Sequence, residues 1–294
     1  MNFTPGVHRS VSFKDYLDIP AVSASMLKDV DEECAAYALW KREHREPDDY
    51  GWTTQKRGSA LHARLLEPER YKQEYVHVLG CEAVLASGAR KGQQCGKATG
   101  ALYDGEFLCG SHAPETIADK RICVSPEGTT ELDKMEAAVR NVASPVLDSA
   151  THKELTLCWY DQEFSLPMKA RLDLVSASTV YDLKCLADIA PQRWGSLLLN
   201  NGMFYQAVHY LRGAQECGLQ VNSFAWIAVR NSEPYIATIH PPLDDASFDA
   251  AESLWRDRLR MLKECESAKV WPGYDVPERS SLPGWFVSQF AVAP

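Results

Sequence analysis

The sequence predicts an α/β fold, a sheet flanked by helices, on three observations. Residues 168–184, MKARLDLVSASTVYDLK, read as two short strands, 169–175 and 179–184, joined by the polar turn Ser176-Ala177-Ser178. A second strand pair, 223–229 and 235–240, flanks a turn at Asn231-Ser232-Glu233-Pro234. Around these lie segments with apolar residues at helical spacing, such as Leu132, Met135, Val139 and Val142, or Phe248, Trp255, Leu259 and Leu262. With no internal repeat or low-complexity linker, residues 1–294 read as one domain.

In chain order, an extended lead enters a helix at Met26-Leu27-Lys28, for which Ser23 or Ser25 can supply the N-cap hydroxyl. The charged stretch 41–50, closing on Pro47-Asp48-Asp49, reads as a loop. From Thr53 a helix carries Gly58, Leu61, His62, Leu65 and Leu66 and stops before Pro68, with Gly58 and His62 on one face. The segment that follows is rich in glycine, poor in large apolar residues, and holds Cys81, Cys95, Cys109 and His112. Such a composition cannot build a core. Three sulfurs and one nitrogen suit tetrahedral ligation, in which Zn²⁺ supplies the folding energy that burial cannot, so 79–115 reads as an inserted zinc knuckle with a closed, structural shell. Arg90, Lys91 and Lys97 make it locally basic. Thr129 or Thr130 then caps a helix ended by Ser144-Pro145.

The next strand, 154–160, sets Leu155, Leu157 and Trp159 on one face against Glu154, Thr156 and Cys158 on the other. Beyond residue 184, Asp188 and Pro191 open a helical region interrupted at Asn200-Asn201-Gly202, which resumes through Gln206, Tyr210 and Leu211 to Gly218. A long amphipathic helix spans 244–268. The tail, with Trp271-Pro272-Gly273-Tyr274 and Leu282-Pro283-Gly284-Trp285-Phe286, is expected to pack on the body or on a neighbouring subunit.

The chemistry concentrates in Asp182-Leu183-Lys184. Side chains alternate along a strand, so Asp182 and Lys184 point one way and Leu183 the other, while Asp173 on the hairpin partner can reach the carboxylate face. Two carboxylates there would bind a hard divalent cation and leave an amine beside it. Standing alone, an Asp-x-Lys is most often a solvated ion pair. Its neighbours in the chain change the reading: Gly58 and His62 lie upstream, and Gln206 and Tyr210 lie downstream, four apart on one helical face.

Composition narrows the partners. A net charge of −9 argues against a surface coated for nonspecific nucleic-acid binding and favours positive charge confined to a groove or channel. The nine cysteines are odd in number, against a disulfide framework and in favour of reduced thiols or a metal. No apolar run approaches the roughly 20 residues that span a bilayer. The start, MNFTPGVHRSVSFKDYL, lacks the pattern of a signal peptide, so a cytoplasmic protein without membrane contact is expected.

Taken in order, Gly58 and His62, Glu154, Asp173, Asp182 and Lys184, then Gln206 and Tyr210 resemble the motifs of the PD-(D/E)XK nuclease superfamily. More narrowly they resemble its RecB/RecE branch. The phrases SASMLK (23–28), KRGSALHARLLEPERY (56–71), YDLK and WPGY are most similar to the exonuclease VIII (RecE-type) nucleases of phages and prophages. The resemblance covers most of the chain and is interrupted by the cysteine-rich insertion.

The resemblance implies a mixed central sheet flanked by helices and an Mg²⁺-dependent (or Mn²⁺-dependent) deoxyribonuclease acting on the ends of linear double-stranded DNA. Asp173, Asp182 and the Leu183 carbonyl would hold one Mg²⁺, and His62 with Glu154 a second; Asp161 and Glu163 are rivals of Glu154. Lys184 would orient or deprotonate water, Gln206 would position Lys184 or a phosphate, and Tyr210 would pack on DNA or on the Lys. Lys56, Arg57 and Arg64, beside His62, are candidate DNA contacts. RecE-type enzymes form rings that thread DNA and hand the exposed strand to an annealing protein, which implies a homo-oligomer here. A structure-selective endonuclease and a non-catalytic DNA-end-binding module are the alternatives. Iron–sulfur nucleases of the RecB branch place their cysteines at both ends of the domain, unlike the compact set here, which leaves an iron–sulfur cluster as the second metal reading.

Overall fold

A computed structural model describes residues 3–44, 54–97, 101–115, 121–276 and 279–290. The elements run β1 (Gly6–His8), α1 (Phe13–Asp18), α2 (Ala24–Glu32), α3 (Ala35–Glu43), α4 (Thr54–Leu66), α5 (Pro68–Glu74), β2 (Tyr75–His77), β3 (Ala101–Tyr103), β4 (Glu106–Leu108), β5 (Ile122–Val124), α6 (Pro126–Asp148) and β6 (His152–Tyr160). They continue β7 (Pro167–Ser176), β8 (Thr179–Leu186), α7 (Pro191–Asn200), α8 (Met203–Glu216), β9 (Ser223–Arg230), β10 (Ala237–His240), α9 (Asp245–Ala268) and α10 (Gly284–Phe290). The central sheet has the order β1-β6-β7-β8-β9-β10, with β8 and β9 parallel and the other neighbours antiparallel. It is the expected mixed sheet.

Each face of the sheet is covered by its own helices, because the strands are apolar on both sides. Leu157, Met168, Leu172, Val180 and Trp226 meet α2, α7, α8 and α9 on one face. Leu174, Leu183, Ile227 and Val229 meet α4 and α6 on the other. Gly213 of α8 lets that helix approach β6: a Cβ there would lie 2.4 Å from the buried Trp159 ring.

Local rules account for most boundaries. Ser23 caps α2 through Met26 N–H at 3.4 Å, and Asp244 caps α9 through Ser247 N–H at 2.7 Å. Gly202 takes the left-handed conformation (φ 59°) that turns α7 into α8. Three expectations differ. The N-cap of α6 is Ser125, whose Oγ accepts Gly128 N–H at 3.1 Å with Pro126 at the first helical position, and Thr129 and Thr130 lie inside the helix. That helix also runs through Pro145, where the lost hydrogen bond is offset by burial of Leu147 in the next half-turn. In the stretch 41–50, Lys41, Arg42 and Glu43 form the last turn of α3, where Lys41 pairs with Asp29 at 2.6 Å; positions 45–50 lie outside the described residues.

The Trp271 segment packs on the body as expected. Trp271 joins the α2/α9 side of the core under the Arg42 guanidinium, the Pro272 carbonyl accepts Ala36 N–H at 3.0 Å, and the Tyr274 hydroxyl bonds Glu33.

One buried histidine ties these layers together. His209 is fully buried; Trp255 Nε1–H donates to its Nδ1 at 3.2 Å, and its Nε2–H donates to the Lys169 carbonyl at 2.9 Å. Burial holds its pKa down to about 4, against the pull of the Lys169 carbonyl. At this residue the folded chain binds fewer protons than the unfolded one between pH 6.5 and 4. The contribution of His209 to stability falls as pH drops through that window, by on the order of 3 kcal/mol. The change in urea midpoint from pH 7 to pH 4.5 should therefore be less favourable in the native protein than in His209→Gln.

Candidate active site and metal centre

The site forms where the sheet splits. β7 and β8 pair only next to their turn, from Ser176–Thr179 to Leu174–Tyr181, whereas β8 stays paired with β9 as far as Leu186–Arg230. At the split Asp173 replaces the ladder: its Oδ2 accepts Leu183 N–H at 2.8 Å. His62, projecting from α4, donates Nε2–H to the Leu183 carbonyl at 2.7 Å, and its Nδ1 lies 3.6 Å from Asp173 Oδ2. Gly58, one turn earlier, faces β8, where a Cβ would make ordinary contact with Cys185 Cβ at 3.6 Å.

Glu154 completes this side. It falls opposite Asp173 in the register set by Lys153–Leu174 and Leu155–Leu172, but its φ of 50° interrupts the ladder at that pair. Ligand atoms of His62, Glu154 and Asp173 all lie within 4.8 Å of one another. The rivals lie elsewhere: Asp161 caps the turn at Phe164 N–H (2.8 Å), and Glu163 pairs with Arg256 of α9.

Asp182 and Lys184 sit across the split. Leu183 belongs to the α4/α6 core, so its strand neighbours Asp182 and Lys184 lie toward α8, and Leu172 on that same α8 face puts Asp173 with α4. The carboxylates thus approach from opposite faces rather than sharing one. Asp182 is 2% exposed and lies 2.6 Å from Lys184 Nζ. Gln206 on α8 donates its amide to Asp182 Oδ1 (3.4 Å) and to the Tyr210 hydroxyl (3.3 Å). Tyr210 is buried edge-on to Phe224, so it braces Gln206 from inside and has no surface for DNA.

Buried acid dominates the electrostatics. Burial first, then the Asp182 and Glu154 charges, push Asp173 up to about 7, against the opposing pull of His62 and Lys184. A carboxyl that resists ionising until positive charge arrives, beside a carboxylate and an imidazole nitrogen, is a donor set suited to a hard divalent cation. The residues present therefore fit the metal that this type of fold implies.

The candidate DNA contacts are partly engaged. Arg57 pairs with Glu131 at 3.0 Å, and Arg64 with both Asp133 and Glu136 at 2.6 Å, these acids all on α6; Lys56 sits half-buried beside Arg57 on α4. Two of the three cations thus dock α4 on α6. A buried arginine that sequence patterns did not point to, Arg171 on β7, binds Glu154 at 2.5 Å and Glu67 at 2.9 Å.

The side chains of Cys81, Cys95, Cys109 and His112 lie together. Cys95 Sγ lies 3.9 Å from Cys109 Sγ, and His112 Nδ1 lies 3.5 Å from Cys81 Sγ and 3.3 Å from Cys109 Sγ. Bonds of about 2.3 Å to sulfur and 2.0–2.1 Å to nitrogen at tetrahedral angles would separate such atoms by about 3.8 Å and 3.5 Å. The four groups thus fit one metal ion. Local structure builds the nest. The Asp104-Gly105 turn, φ positive at both residues, closes the β3–β4 hairpin that delivers Cys109, and the close pass of Gly80 over the Gly96 carbonyl sets Cys81 beside Cys95. Burial alone would raise the Cys109 thiol, but Ser111 N–H and the other three groups bring it down to about 6, the thiolate a metal needs.

Fold and site together define a nuclease-like PD-(D/E)XK domain. Residues 23–278 match the family described as a PDDEXK-like domain of unknown function (DUF3799), and the chain belongs to that family. A crystal structure from Eubacterium rectale described as a "Putative exonuclease" shares the fold at a TM-score of 0.59, with 13% sequence identity over 97% of this chain and 99% of that one. Comparison with curated proteins finds no match. Among the described residues no helix is long and apolar enough to cross a membrane.

Proposed function

We propose that this protein is a metal-dependent deoxyribonuclease that degrades linear double-stranded DNA from its ends. One observation carries the reading: Asp173, with His62 and Glu154 beside it, and the Asp182–Lys184 pair, with Gln206 on Asp182, flank the point where β7 and β8 part. Acids and an amine gathered at a break in a sheet, with one carboxyl pushed up by burial and like charge, mark a functional site.

His62, Glu154 and Asp173 would hold Mg²⁺ or Mn²⁺, with Asp182 and the Leu183 carbonyl flanking them. When bound, the ion supplies charge neutralisation on the scissile phosphate and acidifies water. Lys184, held by Asp182, orients the attacking water and offsets negative charge developing on the phosphate oxygens. Gln206, braced by Tyr210, keeps Asp182 aimed at Lys184. The Cys81, Cys95, Cys109 and His112 nest holds a structural Zn²⁺ in this reading: a closed four-donor shell offers no position for substrate, and the single-ion spacing favours zinc over an iron–sulfur cluster.

Action from ends, in a ring of identical subunits that threads duplex and passes the exposed strand to an annealing protein, follows the family resemblance; the net charge of −9 favours positive charge confined to a groove or channel. End-labelled linear duplex and covalently closed circles with Mg²⁺ test it. The linear molecule should be consumed processively and the closed circle left intact. Equal cutting of both would replace the exonuclease with a structure-selective endonuclease.

A further inference from the structure

We propose that Arg171 is a positioning residue that aims Glu154 at the divalent cation; the inference rests on the metal cluster of His62, Glu154 and Asp173 proposed above. Arg171 lies two residues before Asp173 on β7, hence on the same side of that strand, and its side chain is 5% exposed. Its guanidinium uses each edge differently. Nε donates to Glu154 Oε2 at 2.5 Å, Nη2 to Glu67 Oε1 at 2.9 Å, and Nη1 to the Val11 carbonyl at 2.6 Å and Thr156 Oγ1 at 3.5 Å.

Glu154 needs such a tether because its backbone is not held at that point. The β6–β7 ladder skips the Glu154–Asp173 pair, and Glu154 adopts a left-handed φ of 50°, which is unfavourable for a residue with a Cβ. With neither ladder bonds nor a relaxed backbone, the direction of the carboxylate is set by the group that grips it. The same guanidinium reaches Glu67, whose N–H bonds the Ala63 carbonyl at the end of α4, the helix that carries His62. Arg171 therefore links two of the three donors through one planar fork, which an ammonium cannot reproduce.

Charge and position make opposite predictions. As a cation, Arg171 competes with a metal for Glu154, so on charge alone its loss would tighten metal binding. As an aiming device its loss would weaken it. Arg171→Lys keeps the charge and removes the fork.

The test is calorimetric titration of the oxygen-preferring ion Mn²⁺ into the full-length native protein, Arg171→Lys, Glu154→Gln and the double variant, with thermal melts run alongside. Arg171→Lys should weaken Mn²⁺ about tenfold, the scale of lost outer-shell support, and Glu154→Gln, which removes a donor, at least as much. The double variant should be no weaker than Glu154→Gln, because Arg171 acts through that carboxylate. Glu67→Gln, which loosens the fork while keeping the Arg171–Glu154 pair, should weaken Mn²⁺ by a smaller factor and serves if Arg171→Lys does not fold. Native affinity in both Arg171→Lys and Glu67→Gln, or a double variant weakened by the product of the single losses, would overturn the proposal. So would native affinity in Glu154→Gln; if Asp173→Asn also binds Mn²⁺ normally, the metal cluster itself is wrong.

Discussion

Lys184→Ala should lose roughly 10³-fold or more of the divalent-dependent cleavage of linear DNA, the scale on which removing one preorganised charge from a reaction centre acts. It should also unfold more easily. Asp182 is 2% exposed, and its ammonium partner at 2.6 Å is the nearest compensating charge, so the truncation strands a buried carboxylate at a cost of about 3 kcal/mol. Lost activity in an unstable variant would be ambiguous. The double variant Asp182→Asn/Lys184→Met removes the pair as a pair and should recover most of the urea resistance. It should recover none of the cleavage. Stability and chemistry separate in that variant because replacing both members of a buried ion pair is nearly neutral for folding, whereas the reaction needs both.

The second large effect concerns the insertion. In the described part of 79–115, Leu102 and Phe107 pack on Val78, while Ala83, Leu85 and Leu108 pack on the cysteines and β3 pairs with β4, too little burial to outweigh the chain entropy. Elemental analysis should find close to one zinc per chain, lost in Cys109→Ser. Loss of the ion should open 79–115 to proteolysis while the central sheet stays folded, since β2 and β5 lie outside that sheet. Protein free of zinc and iron that still resists cleavage there would refute the metal nest.

Much of this arrangement is legible in the sequence. Alternation along 179–184 placed Asp182 and Lys184 together, the polar turn 176–178 placed the hairpin, and the spacing of Cys81, Cys95, Cys109 and His112 indicated a common ligand. What stayed hidden depends on packing between distant segments. The face of Asp173 could not be read from β7, because Leu172 and Leu174 are both apolar yet join opposite cores, and the break between them leaves no mark in composition. Arg57 and Arg64 look like phosphate contacts until α6 is laid beside α4, where Glu131, Asp133 and Glu136 take them up. Arg171 sits in a strand among apolar residues and shows no periodic signature; its partners Glu67 and Glu154 are 87 residues apart (154 minus 67) and meet only in the fold. Pro145 reads as a helix stop by local rules, and burial of Leu147 overrides them.

The most direct measurement is release of nucleotides from end-labelled linear duplex by the native protein and by Asp182→Asn/Lys184→Met, each in Mg²⁺ and in EDTA. A metal-dependent nuclease built on this split sheet predicts release by the native protein in Mg²⁺ alone, and background in the other three reactions. Undiminished release in EDTA, or native rates from the double variant, would contradict it, and duplex bound but never cut by the native protein would leave a DNA-end-binding module in place of the enzyme.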